Sequence, residues 1–173
     1  MQILYGPDFN INLPTAVTIG KFDGLHIGHL RVINRLLKYS KELNLRSVIY
    51  TFKVNPKLVL KRENFIPLMT NEEKSEKIAL LGVDYLIYED FNMGFADMLP
   101  EEFVKEVLLK KLNAKLVIMG ANSTFGKDKM GNVELMKSFG KKYGFTVKVV
   151  ELMKENGEVI SSSRLREKAK NYV

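Results

Sequence analysis

The chain has 173 residues, no cysteine and a 46% hydrophobic composition, which excludes a disordered chain, a disulfide framework and a cysteine-based zinc site, and suits one domain over 1–173. Lys and Arg number 27 against 20 Asp and Glu, a net charge of +7 that favours anionic partners such as nucleic acid, anionic lipid or phosphorylated small molecules. The lysines are nevertheless interspersed with glutamates, as at Glu72, Glu73, Lys74, Glu76 and Lys77, which also describes an ordinary solvated surface.

The opening "MQILYGPDFNINLPTAV" lacks the basic segment and apolar run of a signal peptide, and no stretch approaches the roughly 18–20 apolar residues of a membrane span. A soluble, cytoplasmic protein is expected. "TAVTIG" (15–20) is a β-branched run, and "HLRVINRLLKYSKEL" (29–43) then sets Leu30, Ile33, Leu36, Leu37 and Leu43 at helical spacing. "RSVIYTF" (46–52) reads as the second strand, followed by a loop carrying Asn55-Pro56. Thr70 and Glu73 form a capping box ahead of a helix that Gly82 ends. "VDYLIYE" (83–89) is the third strand, and Pro100 opens the helix "EEFVKEVLLKKL". "AKLVIMG" (114–120), a helix over 133–144 and "FTVKVVEL" (145–152) follow. Beyond a turn at Glu155-Asn156-Gly157, "SSSRLREKAKNYV" reads as a closing helix.

Strands alternating with helices imply an α/β fold, a Rossmann-like doubly wound parallel sheet of about five strands. Ligands of such sheets gather beyond the carboxyl ends of the strands, which selects the loops 20–28, 53–69 and 120–131. The first reads "GKFDGLHIGH" and holds both histidines of the chain, His26 and His29. Glycines at 20, 24 and 28 admit positive φ and close backbone approach, and the free N–H groups of the next helix face the same space. That turn suits a polyphosphate. Asp23, His26 and His29 also make a conceivable metal triad, although no helical i, i+4 histidine pair exists. "GANSTFGKD" (120–128) imitates a phosphate loop, but five residues part its glycines and Asp128 follows Lys127, so it is not a Walker motif. A second anion-suited helix start is "ISSSRLR" (160–166), where Ser161, Ser162 and Ser163 precede Arg164 and Arg166.

"GKFDGLHIGH" resembles the His-x-Gly-His signature of the nucleotidylyltransferase superfamily, and "ISSSRLR" resembles its second signature. Together with "TFKVNPKLVL", "LMTNEEKSEKIALLGVDYLI" and "VIMGANSTFGKDKMGNVELM", the chain is similar to the FMN adenylyltransferase module of bacterial FAD synthetase, the bifunctional riboflavin kinase/FMN adenylyltransferase family. The resemblance implies transfer of AMP from ATP to FMN, with Mg2+ accompanying ATP. It implies ATP binding by Gly20, Phe22, Asp23, His26, Gly28, His29, Ser161, Ser162, Ser163 and Arg166, with His26, His29 and Arg166 catalytic. It further implies flavin binding by Asn55, Pro56, Asn122 and Phe125, no resident metal, and neither nucleic acid nor membrane as partner.

Three departures stand out. Val54 replaces a proline of the family's Thr-Phe-x-Pro-x-Pro segment, Ser123 replaces an aromatic, and the chain ends where the family continues into a riboflavin kinase, so no kinase activity is expected of these residues. Other readings stay open at this point. One is the same fold acting on a nicotinamide mononucleotide, a pantetheine phosphate or a phosphorylated polyol. The others are a non-catalytic flavin- or nucleotide-binding protein and an RNA-binding module.

Overall fold

The computed structural model describes residues 1–61, 66–151, 154–155 and 158–159. Its sheet has six parallel strands in the order β1-β4-β3-β2-β5-β6. These are β1 (Gln2–Tyr5), β2 (Thr15–Ile19), β3 (Arg46–Phe52), β4 (Tyr85–Glu89), β5 (Ala114–Gly120) and β6 (Thr146–Val150). The sequence reading missed β1, so the strand it placed first is β2, and β2 lies in the middle of the sheet. Four half-exposed residues on an edge carry too weak an alternation to announce a strand; among the described residues β4 alone pairs with them.

Two helical layers cover the sheet. Alternation along the strands decides what each layer meets. Val48, Tyr50, Ile87, Val117 and Met119 face one side, against α5 (Pro100–Phe103) with its continuation and α6 (Val133–Tyr143). Ile49, Leu86, Tyr88, Leu116 and Ile118 face the other, against α1 (Ile27–Glu42) and α3 (Asn71–Leu80). Thr70 Oγ1 accepts a hydrogen bond from the Glu73 amide while the Glu73 carboxylate accepts one from the Thr70 amide, the expected capping box.

Three elements differ from expectation. The segment after β3 is a short helix, α2 (Pro56–Lys61), not a loop; Asn55 Oδ1 accepts from the Lys57 amide and Pro56 opens the first turn. A four-residue helix, α4 (Met93–Ala96), capped by Asn92, follows β4. The helix begun at Pro100 becomes a π-helix over Val104–Lys111, whose wider winding keeps Val104, Val107, Leu108 and then Leu112 buried. Past the sheet, β7 (Lys154–Glu155) pairs antiparallel with β8 (Glu158–Val159), bracketing the predicted turn. Turn residues 156–157 and the predicted closing helix lie outside the described residues.

Chain order reverses at β2, since β3 lies on one side of it and β5 on the other. The carboxyl ends of β2 and β5 therefore flank the switch point, where ligands of doubly wound sheets bind.

Candidate active site

The turn after β2 is built around buried side chains. Phe22 (φ 46) and Leu25 (φ 39) adopt left-handed backbone although neither is glycine, and both are buried. Such conformations cost about 1 kcal/mol or more each and persist where the surroundings fix them. Gly24 is left-handed as expected (φ 81), whereas Gly20 and Gly28 are not: Gly20 donates its N–H to the Tyr50 carbonyl, and Gly28 lies in the first turn of α1. A Cβ on Gly20 would press on the Phe22 ring at 3.0 Å, so its lack of a side chain serves packing. Asp23 is 5% exposed and accepts from the Leu68 amide at 2.8 Å, tying the turn to the segment before α3.

His26 is the N-cap of α1 and makes no side-chain capping bond; no acidic residue occupies that first turn. The first intrahelical bond runs from the Leu30 amide to His26 O. By contrast, α3, α4 and α6 are capped by Thr70, Asn92 and Asn132. The start of α1 thus keeps its positive end without a side-chain oxygen to neutralise it. Three residues on, His29 stacks its ring on His26 at 3.8 Å, and its ring lies 5.2 Å from that of Phe22. The Nδ1 atoms of both histidines are buried with no hydrogen-bond partner among the described residues.

Burial lowers the affinity of both imidazoles for protons. For His29, burial first, then the charges of His26 and Lys74, push the pKa down to about 3; for His26 burial alone acts. The pair is neutral near pH 7. Linkage then sets a sign. Unfolded histidines take up protons below about pH 6.5 while the folded His29 does not until about pH 3, so stability falls as pH drops through that window. We expect urea melts at pH 5 to give about 1–2 kcal/mol less stability than at pH 7, with the difference largely removed in His29→Asn. An equal loss in the variant would place the titration elsewhere.

The loop 120–131 is anchored at both ends. The Ala121 amide donates to Val150 O on β6, and Phe125 and Gly131 bridge through two backbone bonds. Gly126 (φ 72) leaves no room for a Cβ beside Pro100, and the Lys127 amide donates to Met98 O. Asn122 is exposed at the tip. Phe125, expected beside the acceptor, is 7% exposed and packs on Phe103 at 5.9 Å.

That contact is one end of a ring network that the sequence reading did not pick out. Phe52 at the end of β3 meets Phe91 at 5.4 Å and Phe95 at 5.9 Å, and Phe95 meets Phe103 at 6.0 Å. Beside it is a cavity of about 410 Å³ whose lining includes Glu89, Asp90, Asn92, Phe95, Val107 and Lys111. Glu89 is 4% exposed and accepts from the Tyr50 hydroxyl and the Asp90 amide. Burial and the adjacent Glu89 carboxylate push the Tyr50 phenol pKa up, so the hydroxyl keeps its proton. The carboxyl-end rule applied equally to the loop after the third predicted strand, and Phe91 and Phe95 were the signal there.

Among the described residues no group of three His, Cys, Asp or Glu side chains is arranged to hold a metal ion; Asp23 faces the Leu68 amide. Nor is any helix among them long and apolar enough to cross a membrane. Ser161, Ser162, Ser163 and Arg166 lie outside the described residues.

A family model described as FAD synthetase matches residues 8–164. The bifunctional riboflavin kinase/FMN adenylyltransferase of Buchnera aphidicola subsp. Schizaphis graminum is 34% identical over 158 residues, covering 90% of this chain and 51% of the relative. An FAD synthetase of Listeria monocytogenes is 36% identical over 87% of this chain and 61% of its own length. A solved structure titled a macrolide-efflux protein from Streptococcus pneumoniae superposes with a TM-score of 0.85 at 28% identity, over 95% of this chain and 55% of that one. A pantoate-beta-alanine ligase from Francisella tularensis, at 17% identity and a TM-score of 0.59 over 95% of this chain and 73% of its own, shares the fold. The chain spans roughly half to three-fifths of the length of these two curated relatives.

Proposed function

The chain belongs to the FAD synthetase family, and from that premise we propose that it transfers AMP from ATP to FMN, giving FAD and pyrophosphate. An FMN phosphate oxygen attacks the α-phosphorus of ATP; the bond to the bridging oxygen breaks and pyrophosphate leaves. FMN arrives already ionised, so no strong protein base is required. Catalysis is then positioning and charge stabilisation.

One observation carries this reading: the stacked neutral pair His26–His29 at an uncapped, acid-free helix start on the switch point of the sheet. A neutral imidazole donates one hydrogen bond, and beside a phosphate it also gains reason to take up a proton. The α1 amides supply fixed dipoles to the same oxygens. Mg2+ enters as part of the nucleotide substrate and neutralises its phosphates.

The acceptor takes the other part of the carboxyl edge. Its flat ring system, apolar at one end and polar at the other, suits the cavity where Phe95, Met98 and Val107 meet Glu89, Asn92 and Lys111. Asn122 and the Asn55-Pro56 start of α2 stand at the ends of β5 and β3 on either side of the turn. Ser161, Ser162, Ser163 and Arg166 take the outer phosphates, an assignment resting on the family resemblance alone. A cytoplasmic location suits these substrates.

The test is incubation with ATP, Mg2+ and FMN, with riboflavin in a parallel reaction, followed by chromatographic separation of the flavins. FAD from FMN, and no adenylylated product from riboflavin, is expected because riboflavin lacks the phosphate nucleophile. Absence of FAD while ATP still binds would shift the acceptor to another phosphorylated compound.

A further inference from the structure

Lys74 is 6% exposed, an unusual place for an ammonium group, and it lies on α3 inside the segment "LMTNEEKSEKIALLGVDYLI", for which the sequence suggested no role. Its Nζ donates to the carbonyl of Lys21, inside the turn after β2, at 3.2 Å, and lies 5.6 Å from the centre of the Tyr88 ring. Thr51 Oγ1 donates to that same carbonyl at 3.1 Å. No carboxylate pairs with Lys74 among the described residues, and burial pushes its pKa down to about 8. Its charge nevertheless reaches His29, whose own protonation it opposes.

Buried charges are ordinarily paired or coordinated, because desolvation costs several kcal/mol otherwise. Here the acceptors are a peptide oxygen and the face of a phenol. Both are weaker partners than an anion. A helix start that invites an anion lies on the other side of the same turn.

We propose that Lys74 is a positioning residue for the nucleotide phosphates: through the Lys21 carbonyl it fixes the wall of the turn, and it places a positive charge behind the neutral His26–His29 pair. The inference rests on the phosphate reading of that turn. It explains how a site whose two histidines are uncharged still attracts a polyanion: the cation is in the wall, fixed by α3. The capping box at Thr70 sets the start of α3, and Lys74 follows one turn later, its amide bonded to Thr70 O. An incoming phosphate strengthens the charged form of Lys74 in turn.

The test compares wild type, Lys74→Arg, Lys74→Gln and Lys74→Met by titration calorimetry with magnesium ATP, by the separate KM values for ATP and FMN, and by thermal melting. Lys74→Met is expected to weaken ATP binding by about tenfold or more, the effect of losing a charge-assisted contact, with the KM for FMN little changed. Lys74→Arg, which keeps cation and donor, should recover most of that loss. Lys74→Gln, which keeps a donor without charge, should recover little, and it stands in if the methionine variant does not fold. Equal ATP affinity in wild type and the uncharged variants would overturn the proposal, as would equal losses for both substrates, the mark of a merely structural lysine. Failure of the wild-type protein itself to bind ATP is a separate result and overturns the phosphate reading together with this one.

Discussion

His29→Ala is expected to lower the rate of FAD formation by about 10²–10³-fold, the range for removing one preorganised donor from a developing anion, while the protein stays folded. The loss of rate and the retained fold have different causes. His29 sits in the first turn of α1, stacked on His26 and touching Phe22; its removal leaves the backbone fold of the turn to Phe22, Leu25 and the Asp23–Leu68 bond. Its buried Nδ1 gives the folded protein no hydrogen bond among the described residues, so truncation abolishes none there. A steady-state assay with saturating ATP and FMN, paired with a urea melt, separates the two effects. Turnover within a few-fold of wild type would refute the phosphate role. A loss of turnover matched by unfolding would show that the stack is structural. His26→Ala and the double variant extend the test: if the imidazoles act as one unit, the two losses will be far from additive.

The sequence revealed the layout of this site better than its interior. β3 and β5 have the bounds that their apolar runs announced, and Thr70 with Glu73 forms the box that its spacing implied. These features are local: strand alternation, a capping pair and the left-handed Gly82 that ends α3 each follow from a few neighbouring residues. His26 and His29 were recognisable for the same reason, being the only histidines and lying in one glycine-rich turn. What could not be read was set at long range. Lys74 looks like any surface lysine until α3 packs against the turn after β2. Phe22 and Leu25 are buried with positive φ, whereas the sequence reading had assigned that freedom to Gly20, Gly24 and Gly28, of which only Gly24 uses it. The ring network joins residues from 52 to 125, and only the topology brings them together. β1 was lost because an edge strand with one partner needs little hydrophobic signal.

Gly126→Ala tests the acceptor side. Gly126 has φ 72 and ψ 178, a region essentially reserved for glycine. An added Cβ would lie 2.8 Å from Pro100 Cγ, 2.9 Å from Pro100 N and 3.0 Å from Pro100 Cα. Two of those atoms are backbone at the start of α5, so they cannot move without moving the helix or the Met98–Lys127 hydrogen bond beside it. Strain and overlap together should cost about 2–4 kcal/mol, or the loop 120–131 must leave α5. In either case Phe125 loses its seat on Phe103 and Asn122 its position, so the KM for FMN should rise several-fold. ATP binding should survive, because the turn after β2 is braced by Thr51, Leu68 and Lys74 and not by this loop. Gly82→Ala is the control: Gly82 is also left-handed, at φ 84, but a Cβ there meets nothing within 4 Å, so its cost should be conformational alone, about 1 kcal/mol. If the two alanine variants melt alike and the KM for FMN is unmoved in both, contact with Pro100 does not hold the loop, and the acceptor is positioned from α2 and the cavity beside Phe95.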